Sequence, residues 1–173
     1  MKPTEAKTLI QFSPSTHTPQ VWADLGSGSG TFTLALAEHL PSGSQILAID
    51  KRRGELANIP TSHSGVHIST QEGDFLSTPL PTKLHGVLMA NAFHYVKKKN
   101  LLLEKLLRHM GGKGQLLIVE YDTTSANPWV PYPILKDDLI RLAESLNVAT
   151  IEHLGSRKSI YGNREMYALL LTW

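Results

Sequence analysis

Residues 21–30 read Val-Trp-Ala-Asp-Leu-Gly-Ser-Gly-Ser-Gly, and no other stretch constrains the fold of this chain so tightly. An apolar run suited to a buried strand carries an acid, Asp24, near its end. Three glycines at alternate positions follow, Gly26, Gly28 and Gly30, with Ser27 between the first two. A helix-like pattern then begins. Glycine has no Cβ and tolerates φ > 0, so the chain can turn sharply there and lie against a ligand. A helix starting just behind the turn directs free N–H groups and a partial positive charge into the same space. Strand, glycine turn and helix in this order imply an α/β protein holding a nucleotide-like molecule. A flexible Gly/Ser linker would lack the flanking patterns.

The rest of the chain continues the alternation. Residues 21–25 read as a first strand and 29–40 as a helix with Phe32, Ala35, Leu36 and Leu40 on one face. Residues 45–50 are a second strand, 52–58 a short helix stopped by Pro60, 66–70 a third strand and 84–91 a fourth. The spacing of Leu103, Leu106, Leu107 and Met110 predicts a helix over 100–110, ended by Gly111-Gly112. A fifth strand over 114–121 and a helix over 133–147 follow. Residues 148–154 and 165–173 read as two closing strands around a connection at 155–162. No helix joins them, so an antiparallel hairpin is the simplest arrangement. Alternating elements imply a parallel sheet covered by helices on both faces. Residues 1–20, with prolines, threonines and serines around Leu9-Ile10-Gln11-Phe12, read as an arm or lid ahead of one domain at 21–173.

Composition narrows the class. A chain of 173 residues defaults to one domain with a full core. The net charge of +2 gives no footprint for nucleic acid, although Lys97-Lys98-Lys99 and Arg52-Arg53 are local basic spots. No cysteine is present, which excludes disulfides, thiolate metal sites and cysteine nucleophiles. No apolar leader or membrane-length run is visible, so a cytoplasmic location without membrane association is the expectation. His63 and His67 are four apart in a loop-like stretch without partner carboxylates, so no metal site is expected. No Gly-x-Ser-x-Gly elbow occurs.

The loop is G-x-G-x-G, not the G-x-G-x-x-G of dinucleotide enzymes, with Thr31 where that fingerprint wants its third glycine. The triphosphate loop G-x-x-x-x-G-K-[ST] is absent. A carboxylate at Asp24 suits an ammonium or a water shell and would repel a pyrophosphate. These residues resemble motif I of the class I S-adenosylmethionine-dependent methyltransferases. The resemblance covers about residues 21–173. It implies a three-layer Rossmann-like sandwich whose mostly parallel, seven-stranded sheet has an antiparallel last strand. S-adenosyl-L-methionine would be the cofactor.

Ligands of open α/β sheets lie outside the carboxyl ends of the strands. Asp50 ends the second strand, with Lys51 beside it. A carboxylate there offers two acceptor oxygens to ribose hydroxyls, and it can equally serve as a helix cap. After the third strand, Gly73-Asp74-Phe75 resembles the family's acidic motif, in which the aspartate takes the adenine amino group and the next residue packs on the ring. The fourth strand ends in Asn91-Ala92-Phe93-His94-Tyr95. In the family this segment passes close to the methionine portion and the reactive methyl. It is similar to the Asn-Ala-Leu-His ending of small-molecule enzymes of the class. Ala92 and Phe93 stand where base-amine methyltransferases often carry two prolines. Beyond the fifth strand, three prolines stiffen residues 127–133, where Trp129 and Tyr132 can either line a pocket or pack on the core.

The resemblance implies methyl transfer to a small molecule by in-line displacement at a sulfonium methyl. The enzyme's task there is mainly alignment. If the acceptor is a hydroxyl or a protonated amine, a base is needed. His94 is the candidate, with Tyr95, Glu120 and Tyr121 as alternatives. Three other readings remain open: an RNA or protein methyltransferase using the basic spots, a non-catalytic S-adenosylmethionine-binding module, and, more remotely, an NAD-linked oxidoreductase. With only about twenty residues before the first strand, the acceptor pocket is either open or completed by a second copy of the chain, as a homodimer.

Overall fold

The computed structural model describes residues 1–14, 16–158 and 165–173. The chain alternates strand and helix as the pattern requires. β1 (Val21–Leu25), β2 (Gln45–Asp50), β4 (Val66–Glu72), β5 (Gly86–Ala90) and β6 (Gln115–Tyr121) run parallel, after a two-residue β3 (Ser62–His63) that pairs antiparallel with β4. β8 (Glu165–Thr172) runs antiparallel between β6 and β7 (Thr150–Lys158). The sheet order is β3-β4-β2-β1-β5-β6-β8-β7.

Period-two burial sorts the strand side chains into two cores. On one face Trp22, Ile46, Ala48, Leu88, Leu117, Val119, Ala168 and Leu170 pack against α1 (Pro3–Leu9), α2 (Thr31–Ala37) and α3 (Arg53–Leu56). On the other, Ala23, Ile49, Val87, Met89, Leu116, Ile118 and Leu169 pack against α4 (Lys99–His109) and α5 (Lys136–Ser145). The central strands β1, β5 and β6 are almost wholly buried because helices cover both of their sides.

Four details differ from the sequence reading. The sheet has eight strands among the described residues, not seven, because Ser62–His63 folds back on Val66 and His67. Residues 155–158 continue β7 beyond a bulge between His153 and Gly155, so the connection starts after Lys158, and residues 159–162 of the expected connection lie outside the described residues. Within the expected arm, Pro3–Leu9 is helical and Ala6, Leu9, Ile10 and Phe12 are buried, packed in the same core as α2. The last long helix starts at Lys136, three residues later than the pattern suggested, where Asp122 Oδ1 accepts the Lys136 N–H at 3.0 Å.

Candidate functional site

The parallel strands aim their carboxyl ends at one edge of the sheet. That edge carries residues 26–30 after β1, Asp50 with residues 51–52, residues 73–75 after β4, and residues 91–95 after β5. The loops are knitted together by backbone bonds. Gly26 and Ser27 N–H donate to Ile49 O at 2.8 and 3.1 Å, and Gly73 N–H donates to Asp50 O at 3.0 Å.

Asp24 lies under α2. The buried Thr33 hydroxyl donates to its Oδ2 at 2.6 Å, while its Oδ1 has no partner. Burial pushes the carboxyl up to about 7; the Thr33 bond opposes this, and the nearby Asp50 charge adds to it. Ser27 Oγ and Asn91 Oδ1 are likewise buried without partners. Asn91 holds a left-handed φ of 54°. The loops bearing these atoms touch, since a Cβ on Gly26 would fall 2.7 Å from Ala92 Cβ. Native structures rarely leave buried polar atoms unpaired. Three orphans around one loop fit a polar ligand that satisfies them.

The glycines divide by what surrounds them. At Gly26 (φ +81°) Ala92 and Phe75 fill the space, and at Gly30 Ile59 lies 2.7 Å from a would-be Cβ. At Gly28 (φ +54°) only Arg52 Nη2 comes near, at 3.6 Å. Gly28 therefore borders an open cradle that a side chain would fill.

Asp50 bridges this loop to the start of α3. Its Oδ2 accepts the Gly28 N–H at 2.9 Å and its Oδ1 accepts the Arg52 N–H at 2.9 Å, with the Arg52 guanidinium at 3.5 Å. The N-cap of α3 is Arg52, with no side-chain cap bond, so Asp50 does not cap the helix; it braces the glycine loop against the turn ahead of it. Its oxygens retain lone pairs for further donors. Asp74 accepts the Leu76 N–H at 2.9 Å and pairs with Lys51 at 2.9 Å; that backbone bond, then Lys51, hold its carboxyl below the usual range. Phe75 beside it is buried.

His94 and Glu120 form a sealed pair across β5 and β6, at 2 % and 1 % exposure. Glu120 Oε1 accepts the His94 backbone N–H at 2.9 Å, and Oε2 lies 2.8 Å from His94 Nδ1. With Nδ1 as donor, Nε2 is the lone-pair nitrogen, and it makes no hydrogen bond to a described residue. The His94 ring also lies 4.4 Å from that of Tyr95, which is half exposed. The Tyr132 N–H donates to His94 O at 2.9 Å, and Lys99 Nζ donates to Val96 O and Tyr132 O at 2.8 and 2.6 Å. Burial pulls the Lys99 amine down to about 8, against the upward pull of Glu120. These bonds fix the proline-rich loop onto the 93–95 turn. Trp129 and Tyr132 stay exposed on that loop, so they do not pack on the core.

The expected residues Asp24, Gly26, Ser27, Gly28, Gly30, Asp50, Lys51, Gly73, Asp74, Phe75, Asn91 and Ala92 all fall at this edge. His63 lies instead on β3, with Nε2 at 3.3 Å from Glu38, and among the described residues no cluster suits a metal ion. Thr33, Arg52 and Lys99 were not anticipated as site residues. Thr33 carried a signal, since it lies on the first turn of the helix behind the glycines. Lys99 looked like part of a solvated run.

An open, mostly parallel sheet with a glycine turn after β1 and acids after β2 and β4 defines a nucleoside-cofactor protein of Rossmann-like type. The family described as "Methyltransferase domain" matches residues 23–114, just over half of the chain. Similar solved structures include an S-adenosylmethionine-dependent methyltransferase from Archaeoglobus fulgidus (TM-score 0.71, 15% identity, 99% of this chain and 92% of that one). A putative S-adenosylmethionine-dependent methyltransferase from Listeria monocytogenes is also similar (0.68, 14%, 98% and 96%). So is an S-adenosylmethionine-dependent methyltransferase from Aquifex aeolicus (0.62, 16%, 99% and 98%). A sequence search of curated proteins finds no significant match. The chain belongs to the methyltransferase-domain family and is an S-adenosylmethionine-dependent methyltransferase with S-adenosyl-L-methionine as cofactor. No described helix is long and apolar enough to cross a membrane.

Proposed function

We propose that this methyltransferase acts on a small-molecule acceptor, with His94 as the base when the acceptor carries a removable proton. Asp24, Ser27 and Asn91 hold the amino-acid end of the cofactor, Gly28 lies against it, Asp50 takes the ribose hydroxyls, and Asp74 with Phe75 takes the adenine. The orphaned oxygens of Asp24, Ser27 and Asn91 support the first assignment. The open face of Gly28 supports the second. On this reading Arg52 moves aside or shares Asp50 when the ribose arrives. Lys51 remains with Asp74 as the wall between the two acids.

The bound cofactor supplies a methyl on a sulfonium, already activated for displacement. The chain's contribution is placement and, where required, proton removal. Glu120 is a positioning residue: it grips both the backbone and Nδ1 of His94, which fixes the tautomer and leaves Nε2 free to accept a proton. Tyr95, Trp129 and Tyr132 border the acceptor side, on segments braced by Lys99 and three prolines. Rigid support of this kind suits a catalyst that works by alignment.

The observation that carries the acceptor reading is the His94–Glu120 pair sealed at the end of β5, beside the segment the resemblance places near the reactive methyl. The test is methyl transfer from labelled S-adenosylmethionine to panels of small hydroxyl and amine compounds, RNA and proteins. Transfer to a small compound, lost in His94→Ala with S-adenosylhomocysteine binding retained, supports the proposal. Transfer only to RNA or protein refutes it.

A further inference from the structure

A groove of about 400 Å³ runs between the turn carrying Leu76 and the first two turns of α4. Leu76, Val96, Leu101 and Leu102 form its apolar surface; Lys97, Lys98 and Lys105 supply its charge, and among the described residues no acid lines it. Leu76 and Leu101 are each nearly half exposed, at 45 % and 49 %. Lone exposed leucines are ordinary. Two on the walls of one cleft make a continuous apolar surface of the kind that marks a contact site.

Among the described residues Lys97 and Lys98 form no ion pair, whereas Lys105 bonds Leu76 O and also acts on the Asp74 carboxylate. Lys98, Leu101 and Lys105 fall at i, i+3 and i+7, so they share one stripe of α4. Lys97 and Lys98 stand at the N-terminal end of that helix, where cations are disfavoured, and its first turn contains no acid. Lys99 is turned away onto two carbonyls, and the nearby Asp74 is held by Lys51. Lys105 Nζ donates to Leu76 O at 2.9 Å, which locks the two walls together. The groove is therefore pre-shaped, apolar inside and positive at its rim.

We propose that this groove is a docking surface for an acidic, leucine-bearing helical segment of a partner protein. An amphipathic helix would set leucines between the two walls and carboxylates against Lys97 and Lys98. The concave shape favours a row of side chains over the flat face of a bilayer. The proposal is independent of which acceptor is methylated.

The probe is a fluorescent synthetic helix with leucines on one face and glutamates flanking them, followed by anisotropy with the full chain. A glutamine-for-glutamate version and phosphatidylserine/phosphatidylcholine vesicles are the comparators. The Glu peptide should bind, weaken with salt, and bind about tenfold less tightly to Leu101→Asp and to Lys98→Glu. Unchanged thermal melting and S-adenosylhomocysteine affinity would confirm that these variants are folded; Lys98→Glu alone suffices if Leu101→Asp is not. No binding to the native chain overturns the proposal, as does equal binding of the glutamine peptide or equal binding by the folded variants. Vesicle binding that Lys98→Glu abolishes, without peptide binding, overturns it in favour of a lipid surface.

Discussion

Asp24 gives this fold a pH dependence opposite to that of a paired carboxylate. In the unfolded chain its carboxyl ionises around its ordinary value of 3.8, and in the folded chain only near 7. Between those two values the unfolded state holds fewer protons, so stability falls as pH rises. The contribution is fully present below 3.8 and gone above about 7. At about 1.4 kcal/mol per pH unit, the gap corresponds to about 4 kcal/mol, a large part of the roughly 5–15 kcal/mol available to a domain. Asp24→Asn keeps the bond from Thr33 and cannot ionise. Urea unfolding of the cofactor-free chain and of the variant, from pH 4 to 8, isolates the effect. Glu5, Glu38 and Asp74, whose pKa values are lowered, act in the opposite direction, lose their contribution as pH falls, and cancel in the comparison. The native chain should lose about 4 kcal/mol relative to Asp24→Asn across this range. Parallel curves for the two proteins would mean that Asp24 does not ionise near 7 in the folded chain. Saturating S-adenosylhomocysteine brings an ammonium to the same carboxyl on our proposal, and should flatten the native curve.

Asp50→Ala removes an acceptor whose hydrogen bonds, being charged, contribute about 1.5–3 kcal/mol each, so S-adenosylhomocysteine affinity should fall at least about tenfold by calorimetry; unchanged affinity would leave Asp50 as a brace for the loop and α3 only. Gly28→Ala and Gly26→Ala should separate two roles of the glycine loop. Gly28→Ala costs about 1–2 kcal/mol of backbone strain in a thermal melt and abolishes binding, whereas Gly26→Ala, forced within 2.7 Å of Ala92, should lose far more stability; the reverse ranking would mean Gly28 does not face the cofactor. Glu120→Gln should lower turnover on a proton-bearing acceptor and shift its pH profile while S-adenosylhomocysteine affinity holds, and an unchanged profile would remove its positioning role.

The parts of this fold that were legible in sequence are those where burial is periodic or continuous. β1 and β2 have the limits read from the sequence, each built around a short apolar run. The helix α1 was hidden because Ala6, Leu9 and Ile10 make a short face among prolines and threonines, and that face gains its stability only by packing in the core with α2. β3 is two residues long, too short for any period. The edge strand β7 is largely exposed and bulged, so its pattern faded at Gly155. In the site, the glycines and acids could be read because each follows a strand. The His94–Glu120 pair could not, because its members are 26 residues apart and meet only when β5 and β6 align. The Asp24–Thr33 bond similarly depends on how α2 is laid across β1.

On our proposal the cradle around Gly28, Asp50 and Asp74 seats the nucleoside of S-adenosylmethionine. A crystal structure of the chain with S-adenosylhomocysteine tests it most directly. The expected complex has ribose hydroxyls on Asp50 with Arg52 displaced or sharing the carboxylate, adenine between Asp74 and Phe75, and the amino-acid end on the free oxygens of Asp24, Ser27 and Asn91. Density for the ligand elsewhere, with those three oxygens still unpartnered and Asp50 held only by Gly28 and Arg52, would contradict it.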